Sequence, residues 1–134
     1  MKTKTIRQSV TFKASSKTIY EMLMDSRKHA AFTGSKVRIS RKVGGKFTAY
    51  DDYISGTNLE VVPNKKIVQS WRGSDWPKGH YSKATFGFKA VKGGTRLTFI
   101  QTGVPAEQNE GIKKGWIEFY WEPMKKQLEK TIEN

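Results

Sequence analysis

Near the start of the chain Ile6, Val10 and Phe12 share one parity, while Thr5, Arg7, Ser9, Thr11 and Lys13 take the other. That period of two marks a half-buried strand, predicted over Thr3 to Lys13. The period then lengthens. Ile19, Met22 and Leu23 form the stripe of a helix capped by Ser15 or Ser16 and ending near Asp25 and Ser26. A second short helix is predicted from Arg27 to Phe32, with Gly34 beyond it as a left-handed terminator.

From there to residue 102 the pattern is strands separated by turn chemistry, an antiparallel meander. Val37 and Ile39 alternate with Lys36 and Arg38; Gly44-Gly45 turns the chain; Phe47 and Ala49 alternate with Thr48 and Tyr50. Asp51-Asp52 and Ser55-Gly56 mark a bend, Leu59 and Val61 a strand, Pro63 to Lys66 a reversal, and Ile67 to Arg72 the return. After a longer loop, Gly73 to His80, the residues Ala84, Phe86, Phe88 and Ala90 face one way, before Lys92-Gly93-Gly94 turns into Thr95 to Gln101. The last segment changes period again: Ile112, Trp116, Phe119 or Tyr120, Met124, Leu128 and Ile132 recur every three or four residues, one long amphipathic helix. Pro123 lies inside it and is expected to bend it, because proline removes the bond to the Phe119 carbonyl and crowds it. Strand, two short helices, a meander and a long closing helix predict an α+β fold with that helix over the concave face of the sheet.

At 134 residues the chain has room for one core and one domain. It has no cysteine, so disulfides, thiolate nucleophiles and Cys-based zinc sites are excluded, and a reducing compartment is expected. The charged start and the lack of a long apolar run argue against a leader or a membrane span; the expected location is the cytoplasm. Charge changes the picture more. The net value is +13, and residues 1–50 hold 12 Lys and Arg against 2 acids, whereas residues 51–134 hold 13 against 10. A field of that kind attracts acidic proteins, nucleic acid or anionic surfaces.

Several stretches narrow the choice. Gly44-Gly45-Lys46-Phe47, the run from Leu59 to Arg72, Trp76-Pro77-Lys78-Gly79-His80-Tyr81-Ser82, and Gly115-Trp116 resemble the activator of heat-shock protein 90 ATPase homologue family, within the START-like superfamily. The resemblance covers nearly the whole chain and is to the C-terminal domain of the eukaryotic co-chaperone, whose additional N-terminal domain makes much of the chaperone contact. It implies a helix-grip fold: a curved antiparallel sheet of six to seven strands wrapped around the long C-terminal helix, with two short helices after strand one. Tyr53 stands where the family commonly has Gly, so the turn after Asp52 is expected to be made elsewhere, at Gly56.

No catalytic constellation, metal set or cofactor motif is legible. The two histidines stand in different contexts: His29 reads as a surface or helix-end residue, and His80 closes a loop of the kind that borders ligand cavities. Asp51 and Asp52 read as turn residues. The cavity candidates are Trp71, Arg72, Trp76, His80, Tyr81, Phe88, Trp116, Tyr120 and Trp121. Trp116 and Trp121 lie five positions apart, a rotation of roughly 140° on an α-helix, so one of them is expected to turn away from the sheet. Lys36, Arg38, Arg41, Lys42 and Lys46 put five cations within eleven residues and are the candidates for docking an acidic partner. The leading expectation is a non-enzymatic binding domain for a small apolar or amphipathic ligand, an acidic protein such as a chaperone, or both. The alternatives are a cyclase or hydratase using His80 or Tyr120, and nucleic-acid binding through the basic face.

Overall fold

The computed structural model describes residues 1–133, with side chains up to Lys130. Strand β1 (Thr3–Phe12) opens the chain and keeps its expected alternation, with Ile6 and Phe12 buried. The Ser15 hydroxyl accepts from the Thr18 amide and starts α1 (Ser16–Met24), and the Asp25 carboxylate accepts from the Lys28 amide and starts α2 (Ser26–Thr33). These caps satisfy amides that a helix start leaves without partners. Gly34, at φ 69°, ends α2 in the left-handed conformation.

The meander follows: β2 (Arg38–Ile39), β3 (Lys46–Ala49), β4 (Ile54–Val62), β5 (Lys66–Gly73), β6 (Ser82–Val91) and β7 (Gly94–Pro105). The seven strands form one antiparallel sheet in the order β1-β7-β6-β5-β4-β3-β2, so the first strand returns to pair with the last. The chain closes with α3 (Asn109–Trp116), a π turn (Ile117–Trp121) and α4 (Glu122–Glu133). This is the helix-grip arrangement that the resemblance implies.

One strand carries an irregularity, and one expected turn needs correction. Leu59 and Val61 fall in one strand as expected, but β4 carries a bulge between Asn58 and Glu60, which leaves Leu59 49% exposed and turns Asn58 fully inward. There the Asn58 amide donates to the carbonyls of Ser40 (2.6 Å) and Lys42 (3.1 Å) and accepts from Gln69 (3.1 Å). Gly56 makes no turn. It lies in β4, where an added Cβ would fall 1.8 Å from the Ser70 carbonyl oxygen, so close strand approach is what requires glycine. The β3–β4 turn is instead made by Tyr50, Asp51 and Asp52, three successive residues at φ 50°, 54° and 74°. Left-handed backbone is costly for a bulky residue such as Tyr50. The Lys36 carbonyl and amide hold it by pairing with the Asp51 amide and carboxylate.

The closing helix also departs from the simple wheel. Trp116 and Trp121 are both buried and stack at 5.5 Å with their planes 20° apart. The reason is the π turn, in which the Glu122 amide bonds the Ile117 carbonyl five residues back, so position 121 returns over position 116. The large apolar residues of the turn that face outward are Ile117 and Phe119, 41% and 53% exposed. Pro123 leaves its mark through the Phe119 carbonyl, which it cannot bond; the Tyr50 hydroxyl donates to that carbonyl at 2.5 Å instead. Met124 and Leu128 continue the apolar stripe; Ile132 lies outside the described side chains.

Candidate functional site

An open cleft of about 380 Å³ lies between the β3–β4 turn, the end of β5 and α3 with its π turn. The turn contributes Tyr50 and Tyr53, β4 and β5 contribute Ile54 and Trp71, and the helical wall contributes Gln108, Gly111, Ile112, Gly115, Trp116, Phe119 and Tyr120. Space exists here because two positions four residues apart on one helix face carry no side chain. A Cβ built on Gly111 meets nothing within 4 Å. Glycine inside a helix costs about 1 kcal/mol relative to alanine, and at Gly111 no close contact demands it.

The back wall of the cleft is fixed by buried polar bonds. The Trp116 indole donates to Gln101 (2.8 Å), the Gln101 amide donates to the Ser82 hydroxyl (2.9 Å), and that hydroxyl donates to the Trp71 carbonyl (2.8 Å). Such a chain locks the Trp116 ring to the β5 backbone at Trp71. Tyr120 is locked by another pair. The His29 Nδ1 faces the Leu23 carbonyl (3.0 Å), an acceptor, so Nδ1 carries the proton and Nε2 accepts from the Tyr120 hydroxyl (3.1 Å). Burial lowers the His29 pKa to about 4 and raises the Tyr120 phenol well above its usual range. At the mouth, the Tyr53 hydroxyl donates to Asp75 (2.7 Å), and burial followed by this bond pushes its pKa up to about 12; burial takes Tyr50 to about 12 as well.

Of the sequence-predicted cavity residues, Trp71, Trp116 and Tyr120 line the cleft. The others have different surroundings. Trp121 is buried and its indole donates to Gln8 (2.7 Å). Trp76 packs against Trp71 at 5.4 Å, behind the wall. Arg72 ties down the loop after β5, donating to the carbonyls of Trp76 (2.8 Å) and His80 (3.3 Å) while lying over the exposed Tyr81 ring. His80 Nε2 donates to the Gly103 carbonyl (2.7 Å). Phe88 packs on Tyr20, away from the cleft. His29 is corrected outright: it is 5% exposed and stacked on Phe32, because α2 turns it into the core. The lining residues that sequence reasoning missed are chiefly Tyr50, Tyr53, Gly111, Gly115 and Phe119. Two helical glycines at a spacing of four were the readable sign. Among the described residues no group of three or more His, Cys, Asp or Glu could hold a metal ion.

Lys36, Arg38, Lys42 and Lys46 are exposed along the β2–β3 edge and its loop. Arg41 is engaged: it forms a bidentate pair with Glu21 (2.7 and 2.8 Å), which holds that carboxyl below its usual range. The two-residue β2 edge, flanked by cations, also suits the ordinary task of discouraging strand pairing between molecules.

A seven-stranded helix-grip sheet closed by a C-terminal helix, with an aromatic cleft at one end, defines a START-like domain. The chain belongs to the family described as activator of Hsp90 ATPase homolog 1-like protein, whose model matches residues 13–129. It is 34% identical over 115 residues to the human activator of 90 kDa heat shock protein ATPase homolog 1, covering 86% of this chain and 34% of that one. Against the Dictyostelium discoideum homolog it is 36% identical over 115 residues, covering 85% of this chain and 30% of that one. The chain thus spans about a third of the length of the curated relatives it matches. The crystal structure of an HSP90 activator from Plasmodium falciparum superposes with a TM-score of 0.86 at 26% identity, over 92% of this chain and 95% of that one. No helix among the described residues is long and apolar enough to cross a membrane.

Proposed function

We propose that the chain is a non-enzymatic binding domain that holds a small apolar or amphipathic ligand in the cleft. The open, mostly apolar space beside Gly111 carries this reading, since ligand sites combine apolar lining with a few oriented polar groups. The non-enzymatic part is supported by the two candidate polarisers: the His80 Nε2–H donates to the Gly103 carbonyl, and the Tyr120 hydroxyl donates to His29. A carbonyl in the cleft would find neither free.

Docking to an acidic protein is a second role favoured by the exposed cations at Lys36, Arg38, Lys42 and Lys46, with a heat-shock protein 90 chaperone as the partner that the relatives' names suggest. That partner would place the protein in the cytoplasm.

Native mass spectrometry of freshly purified protein tests the cleft. A co-purifying small molecule is expected with the wild type and not with Gly111→Leu, whose side chain occupies the open space. Retention of the same molecule by the variant would move the site elsewhere, and its absence from both proteins would count against the ligand reading.

A further inference from the structure

We infer that the cleft selects an organic cation: a ligand with a compact alkylated ammonium head on an apolar body. The inference rests on the cleft being a ligand site, and goes further by assigning the sign of the ligand's charge. Three independent features point the same way.

The first is the shape of the aromatic lining. Tyr50, Tyr53, Trp71, Trp116, Phe119 and Tyr120 surround the space. Neighbouring planes meet at 66° for Tyr50 and Phe119, 64° for Tyr50 and Tyr120, 40° for Trp71 and Trp116, and 45° for Trp116 and Tyr120. Walls set at such angles form a box. Parallel plates would suit a flat ring system; a box suits a rounded group, and the negative faces of aromatic rings attract a cation within about 6 Å.

The second feature is the direction of the protons. All three tyrosine hydroxyls are already committed as donors within the protein: Tyr50 to the Phe119 carbonyl, Tyr53 to the Asp75 carboxylate, and Tyr120 to His29. What they can still offer is oxygen lone pairs. Among the described residues no Lys or Arg lines the space, and the donors that its walls offer are the neutral Gln108 amide and Trp71 indole. An anion would lose its hydration and gain little; an ammonium group meets acceptors and rings.

The third is local charge. The segments that carry the lining residues and their mouth, 50–54, 71–75 and 108–120, hold five carboxylates (Asp51, Asp52, Asp75, Glu110 and Glu118) against three cations, Arg72, Lys113 and Lys114. Arg72 is committed to loop carbonyls. In a chain of net charge +13, the cleft is therefore built from the acidic minority. Complementary charge favours encounter with a cation there.

The decisive measurement is a matched titration followed by NMR chemical shifts, using phenyltrimethylammonium, its neutral isostere tert-butylbenzene, and benzenesulfonate as the anion. Phenyltrimethylammonium is expected to bind at least tenfold more tightly than either other probe, to lose that binding in Gly111→Leu, and to bind severalfold more weakly in Asp75→Asn, where tert-butylbenzene binding stays unchanged. Equal or tighter binding of the neutral or anionic probe would overturn the charge assignment while leaving the cleft as a ligand site. Binding by none of the three would overturn both.

Discussion

Two spaces lie beneath the same closing helix, and they have opposite fates. On one side of Trp71, Trp116 and Tyr120 is the open cleft of about 380 Å³; on the other, among Leu23, His29, Ile39 and Phe47, only about 10 Å³ remains. One sheet backs both. The difference comes from what α1, α2 and α3 insert: Leu23, His29 and Phe32 fill the inner space, whereas Gly111 and Gly115 leave the outer one empty. The cavity here is thus a matter of side chains withheld along one helix face, held open by a wall of rings in which Trp116 and Tyr120 are fixed by buried polar bonds.

Removing that wall should have the largest effect. Trp116→Ala is expected to lose about 3–5 kcal/mol of stability, since it deletes a buried indole and strands the Gln101 carbonyl that accepts from it. Urea unfolding reads the loss, and a cost below about 1 kcal/mol would mean that the two spaces are not divided as described.

Acid should attack the inner space selectively. His29 is held at a pKa of about 4 against 6.5 for the free side chain, so between those values the unfolded chain binds the extra proton. Stability is therefore full above about pH 6.5, falls as the pH drops towards 4, and levels off below. The total is roughly 3 kcal/mol from a shift of this size. Replacing His29 with Gln should flatten this part of the profile; an unchanged profile would assign the acid sensitivity to other groups.

The smallest effect should be a gain. Gly111→Ala is expected to stabilise by about 0.5–1 kcal/mol, since alanine is the better helix former and its methyl group meets open space. Thermal unfolding measures it. A loss of stability would show that the position is constrained by packing.

The sequence was most readable where one rule acted alone. The alternation of β1, the Ser15 cap and the Gly34 terminator each depend on neighbours in sequence, and each formed as expected. It was least readable where two segments far apart decide together. The Leu59 bulge exists because Asn58 reaches the Ser40 and Lys42 carbonyls, and a wheel drawn at 3.6 residues per turn cannot anticipate a π turn whose freed carbonyl is claimed by Tyr50 across the cleft. His29 misled for the same reason, its basic neighbours Arg27 and Lys28 saying nothing of the Tyr120 hydroxyl waiting for it. The cavity list favoured large aromatics, while the space itself was made by glycines.

The wall has one more consequence, which is optical. The four tryptophans of the chain form one unbroken series of contacts, Trp76 to Trp71 at 5.4 Å, Trp71 to Trp116 at 5.5 Å and Trp116 to Trp121 at 5.5 Å. At such separations the excited states of neighbouring indoles couple and energy passes along the row. The folded protein should therefore emit as one antenna and show an exciton signature in circular dichroism, and a molecule settling against Trp71 or Trp116 would perturb the signal of all four.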